Sequence, residues 1–232
     1  MNKAIKEKIR TALRITLGVC FILSGVMKAV NVYSFAQEVR LYIEAYMDSF
    51  CVQWSVEIAM VVCAIETVTG LLALRKKYER IVAVIFLGLM SFFVWLTGIN
   101  LFCPSLMGSI ESCGCFGELI HFSPLASFVK SIVLWGMAIM NYELFVKLTK
   151  LRKFRFTNYL LSFFNSRRRW RNILKDGKMY VVFVVGALPP VYSYLCFENM
   201  EHGWYIAGYI TLCVLGGGLC LVFIRYGLRS KD

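Results

Sequence analysis

Six stretches of about twenty mostly apolar residues, near 12–32, 54–74, 81–102, 126–146, 179–197 and 204–224, leave a chain of 232 residues little length for anything else. Each is long enough to cross a hydrocarbon core about 30 Å thick as a helix rising about 1.5 Å per residue. Backbone groups in lipid find no water to bond, so a chain that crosses it must satisfy them internally, and runs of this length do so as helices. The expected fold class is therefore an all-α integral membrane protein of six transmembrane helices. Its expected parts are a four-helix bundle in 1–150, a basic loop in 151–178 and a two-helix hairpin in 179–232. Composition agrees: 59% of the residues are hydrophobic and mean hydropathy is +0.64, against about half apolar in soluble domains. The first run follows "MNKAIKEKIRTALR" as a signal core follows its charged start, but it is too long for one and lacks a small-residue cleavage site. It reads as an anchor that stays.

A net charge of +12 raises the question of nucleic acid, and the placement of the charge answers it. Of 26 basic residues, 23 lie before the first run, between the second and third, between the fourth and fifth, or after the sixth. The opposite connections carry mainly acids, among them Glu38, Glu44, Glu111, Glu118, Glu198 and Glu201. This alternation is the positive-inside pattern of an even number of spans with both termini cytoplasmic. The expected location is the bacterial cytoplasmic (inner) membrane, crossed several times. The "SRRRWR" cluster at 166–171 then marks topology and contact with anionic lipid, and its loop is too short for the fold that nucleic-acid binding needs. Lipid bilayer is an expected partner; nucleic acid is not.

With that topology "CPSLMGSIESCGCFGELIHFSP", residues 103–124, faces an oxidising compartment, where disulfides persist. Cys51, Cys103, Cys113, Cys115 and Cys196 fall on or near that side, whereas Cys20, Cys63, Cys213 and Cys220 fall inside spans and read as small packing residues. In the last span Cys213, Gly216, Gly217 and Cys220 share a face, like the small-residue stripes of closely packed membrane helices. A bond between Cys113 and Cys115 would close too small a loop to stabilise much. A zinc site from Cys103, Cys113, Cys115 and His121 is chemically possible, but structural zinc sites usually space cysteines by two or more residues, so no metal is expected. Exchange chemistry is what remains: one thiolate attacks a partner's disulfide and the second resolves the mixed intermediate, with Cys103 as an internal relay.

The same residues resemble a family. "LGVCFILSGVMKAVNVYSFAQEVRLY" in and after the first span, "ETVTGLLAL" in the second and "CGCFG" before the fourth are similar to the DoxX/MauE group of four-helix membrane proteins, over roughly residues 8–150. The resemblance implies a membrane redox module working with an extracytoplasmic thioredoxin-fold partner in protein maturation, on a scaffold similar to vitamin K epoxide reductase. It makes Cys113 and Cys115 the catalytic pair, with Phe116 and Gly117 completing the motif, and a quinone the candidate cofactor. Spans five and six are additional to it, and nothing in the sequence indicates methylamine as a substrate. A non-enzymatic assembly scaffold for such a partner is the alternative, and a small-solute transporter the third reading.

Lys28, Glu57, Glu66 and Lys130 lie within spans, where charge is costly and usually functional. The lysines either snorkel to the outer interface or lie beneath the cysteine loop and favour thiolate. Glu66 lies deeper and has no evident basic partner at its depth. It is expected to be protonated and hydrogen-bonded in the bundle, or else part of a proton or quinone-linked path. Between the first two spans, 33–50 sets Phe35, Val39, Tyr42, Ile43 and Tyr46 against Gln37, Glu38, Arg40 and Glu44 at helical spacing, predicting an amphipathic helix across the outer mouth of the bundle.

Overall fold

A computed structural model describes residues 3–46, 49–102, 123–148 and 177–229. Seven α-helices carry them: α1 (Lys3–Ala29), α2 (Val32–Tyr46), α3 (Ser55–Ala73), α4 (Glu79–Phe102), α5 (Pro124–Leu148), α6 (Gly177–Cys196) and α7 (His202–Arg229). Short 3-10 turns, Ser49–Trp54 and Lys76–Tyr78, lead into α3 and α4, and no strand occurs among the described residues. Among the described residues five helical segments are long and apolar enough to cross a membrane: Ala4–Ala29, Phe50–Ala73, Lys76–Phe102, Pro124–Val146 and Met179–Cys196. The expected sixth run lies inside α7, a helix of 28 residues. The protein is an all-α membrane protein.

The first span differs from its expected limits of 12–32. Its helix begins at Lys3, so the basic residues expected as a flanking signal stand on the helix itself. It stops at Ala29 because Asn31 starts a new helix: the Ser34 backbone N–H donates to Asn31 Oδ1 at 3.1 Å, an N-terminal cap for α2.

One end of the bundle is tied by these basic residues. Arg10 Nη2 meets Glu79 Oε2 at 3.0 Å, Lys76 Nζ meets Glu7 Oε1 at 2.8 Å, and Arg14 donates to the Ala73 carbonyl. That carbonyl ends α3, where the helix leaves oxygens unpaired and favours a cation. Arg10 and Arg14 are buried. What reads in the sequence as topology signal is therefore also structure.

α1 packs most extensively on α3. They approach closely at Gly70, where a Cβ would lie 2.6 Å from the Gly18 carbonyl oxygen, and at Gly25, where one would crowd Thr67 Oγ1. α3 also packs on α6, and here Gly186 leaves room for Val68. Close glycine contacts thus lie on α1, α3 and α6, and also on α7 at Gly208, where a Cβ would crowd the Tyr192 hydroxyl. In the stripe expected on α7, Gly216 faces Val185, but a Cβ on Gly217 would meet nothing within 4 Å. Leu17 and Phe21 of α1, Leu72 of α3, Val82 and Phe86 of α4, Ala138 of α5 and Val182 of α6 share one core. Large apolar side chains such as Val61, Trp95, Val133 and Phe183 point outward, a surface suited to lipid.

At the opposite end, the mouth, α2 lies on α3 with Val32, Phe35, Ala36 and Ile43 buried, in agreement with the amphipathic pattern. The α6–α7 pair is fastened here. Ser193 Oγ accepts the Val32 N–H at 3.1 Å, and the Tyr205 and Tyr209 hydroxyls donate to the carbonyls of Val30 and Val26. Those oxygens lie in or just beyond the last turn of α1, which has too few intrahelical donors of its own.

Candidate functional site

Cys103, Cys113, Cys115, Phe116 and Gly117, and with them His121, lie outside the described residues, but both anchors of their segment are described. α4 ends at Phe102, whose ring stands edge-on to Phe128 of α5 with centroids 5.5 Å apart. α5 starts by helix-capping rules: Ser123 Oγ accepts the Ala126 N–H at 3.3 Å, and Pro124 takes the first helical position, where no N–H is needed. The segment 103–122 thus springs from two adjacent helix ends. Two buried polar groups stand near those ends, Asn100 Nδ2 and Ser127 Oγ, without hydrogen-bond partners among the described residues.

Within the bundle Lys28 Nζ meets Glu66 Oε1 at 2.6 Å, both side chains being 2% exposed. This corrects the expectation that Glu66 lacks a basic partner. Gly25 of α1 packs against Cys63 and Thr67 of α3, so Lys28 starts only about one turn above Glu66. Helical Cα–Cβ bonds tilt toward the N-terminus, and α1 and α3 are antiparallel. Lys28 therefore leans down into the bundle while Glu66 leans up to meet it. Snorkelling outward is not observed: the Lys28 ammonium sits 5.2 Å from the Phe35 ring centroid and 5.1 Å from that of Phe93, under the cover of α2.

The ion pair forms part of the wall of a cavity of about 160 Å³. Phe21, Met90, Phe93 and Leu134 give it apolar walls; Ser24, Ser131 and Lys130 add polar groups. Glu66 Oε2 has no hydrogen-bond partner among the described residues. The structure therefore gathers Lys28, Glu66 and Lys130 around one space between α1, α3, α4 and α5. Glu57 is not among them; it is exposed on the first turn of α3. The expected role of Lys28 at a thiolate depends on residues 113 and 115, and among the described residues its charge is matched by Glu66.

Sequence reasoning missed Cys20, Ser24, Ser131 and Phe93 as parts of this wall. Cys20, Ser24 and Lys28 recur every four residues on one face of α1, which is the signal that could have found them. Cys20, Cys51, Cys63, Cys196 and Cys213 are free thiols. The cavity suits the size of one six-membered ring, since an engineered cavity of about 150 Å³ holds benzene. A quinone head would find donors for its carbonyls on Ser24, Ser131 and Lys130, but nothing on it would donate to Glu66 Oε2 unless it were reduced.

A family profile described as "Methylamine utilisation protein MauE" matches residues 6–142. "Protein TlpB" of Flavobacterium psychrophilum is 25% identical over 141 residues, 57% of this chain and 36% of that protein. The chain spans about a third of that curated relative's length. No solved structure matches the chain.

Proposed function

The chain belongs to the MauE family of methylamine utilisation proteins, and on that premise we propose that it is a membrane thiol–disulfide exchange protein acting through Cys113 and Cys115. The observation that carries this reading is the Cys-Gly-Cys-Phe-Gly motif on a segment whose two anchoring helix ends are held side by side by Phe102 and Phe128. A thiolate of the pair attacks the disulfide of an extracytoplasmic thioredoxin-fold partner, forming a mixed disulfide and releasing one partner thiol. The second cysteine attacks the mixed disulfide, which leaves Cys113 and Cys115 joined and the partner reduced by two electrons and two protons. The reverse sequence oxidises the partner, and the two reduction potentials set the direction. A strained disulfide between residues i and i+2 favours oxidation of the partner. Cys103, on the same segment, is the internal relay. A quinone held in the cavity would supply a two-electron acceptor. The orientation belongs to the same proposal: α1 starts in the cytoplasm, the mouth faces the periplasm, and residues 1–150 form the redox module.

Replacing the cysteines singly tests it. One of Cys113→Ser and Cys115→Ser should trap a mixed disulfide with the partner, visible on non-reducing gels and by mass spectrometry, because the resolving thiol is gone. The other should trap nothing. Capture by neither variant, with client maturation unchanged in the double variant, would replace exchange with the scaffold reading.

A further inference from the structure

Glu66 is 1% exposed, and among the described residues only one of its two carboxylate oxygens is engaged. Oε1 takes the Lys28 ammonium, while Oε2, on a side chain that lines the cavity, receives no hydrogen bond. A buried acceptor left in that condition is costly, and such groups are nearly always satisfied by protein, water or ligand. The group that completes Glu66 must donate. It must also be neutral: a cation would meet Lys28 and Lys130, both in the same wall, and an anion would meet the Glu66 carboxylate itself. The rest of the space is bounded mainly by Phe21, Met90, Phe93 and Leu134 and has the volume of one ring.

We propose that this cavity binds a neutral, ring-sized apolar molecule bearing a hydroxyl, drawn from the bilayer, with the hydroxyl donating to Glu66 Oε2. The ring packs among Phe21 and Phe93, whose aromatic faces and edges attract it, Leu134, and Met90, whose thioether adapts to shape. The hydroxyl oxygen remains able to accept from a donor of the same wall. Glu66 thereby selects among apolar molecules of one size by asking for an O–H. This selection does not depend on thiol exchange at Cys113 and Cys115.

The test uses p-cresol and p-xylene, which differ by a hydroxyl in place of a methyl. Each is titrated calorimetrically into the full chain in phosphatidylcholine nanodiscs, with empty nanodiscs as the blank. The wild type should bind one p-cresol per chain, at least tenfold more tightly than p-xylene. Lys28→Met combined with Glu66→Leu should remove that preference. Ser131→Phe, which leaves the ion pair in place and fills the cavity, should abolish saturable binding and keeps the test decisive if the double variant does not fold. Equal affinity of the wild type for the two ligands would show an unselective apolar void. Binding of neither would show that Oε2 is satisfied by water. A preference that survives the double variant would place the hydroxyl elsewhere. Each of these three results overturns the proposal.

Discussion

At the residue scale the most consequential finding is that two charges the sequence shows separately form one buried pair. Taking ions out of lipid's reach does not make them stabilising, because desolvation offsets most of their attraction; removing one partner alone, however, leaves an uncompensated charge. Glu66→Leu should therefore destabilise the protein by about 3–5 kcal/mol, whereas Lys28→Met with Glu66→Leu should recover most of that loss. Thermal unfolding of the three proteins in nanodiscs checks it; a double variant no more stable than the single would mean that the pair is not the unit. The sequence made both residues legible as functional candidates and hid their contact. Depth counted along the chain ignores the register between helices and the direction in which each side chain leans. The same blindness applies to Arg14, whose basic character was plain while its acceptor, the Ala73 carbonyl 59 residues away, was not.

At the scale of elements, periodicity and length gave the helices because lipid removes the alternatives. The boundary of α1 was missed for a local reason: the apolar count runs on through Val30 and Val32, but the Asn31 side chain, a better cap than a helix-interior residue, turns the chain there. Contacts between helices were less legible than helices. Gly216 and Gly217 look like a packing stripe, yet it is Gly18 and Gly70 that let α1 and α3 approach closely. Gly70→Val would push its side chain into the Gly18 carbonyl and Ile22, and overpacking of this kind costs about 1–3 kcal/mol. The same change at Gly217, which has open space beside it, should cost less than about 1 kcal/mol. Unfolding midpoints of the two variants measured side by side decide the matter. An equal loss at both positions would contradict the packing described here.

At the scale of the whole molecule the α6–α7 hairpin looks in the sequence like an addition to a four-helix module, because the resemblance covers only roughly residues 8–150. Its fastening was not legible, since the Tyr205 and Tyr209 hydroxyls reach carbonyls 175 and 183 residues away. The contacts argue that the module leans on the hairpin. A chain ending at residue 150 would leave the Val26 and Val30 carbonyls without their tyrosine donors and the Val32 N–H without Ser193. It would also uncover the α3 face at Val68, against which Gly186 now packs. Each lost hydrogen bond is worth about 1 kcal/mol, and more where a buried partner is left unsatisfied. We therefore expect the shortened chain to be at least about 3 kcal/mol less stable in nanodiscs, with the loss concentrated at the mouth. Hydrogen exchange reads that location directly: amides of α2 and of the last turn of α1 should lose protection, while those near Arg14 and Ala73 keep theirs. Tyr205→Phe with Tyr209→Phe should reproduce part of the effect in the full chain. Unchanged protection at the mouth in both proteins would instead make residues 1–150 a self-sufficient module, with the hairpin an appendage to it.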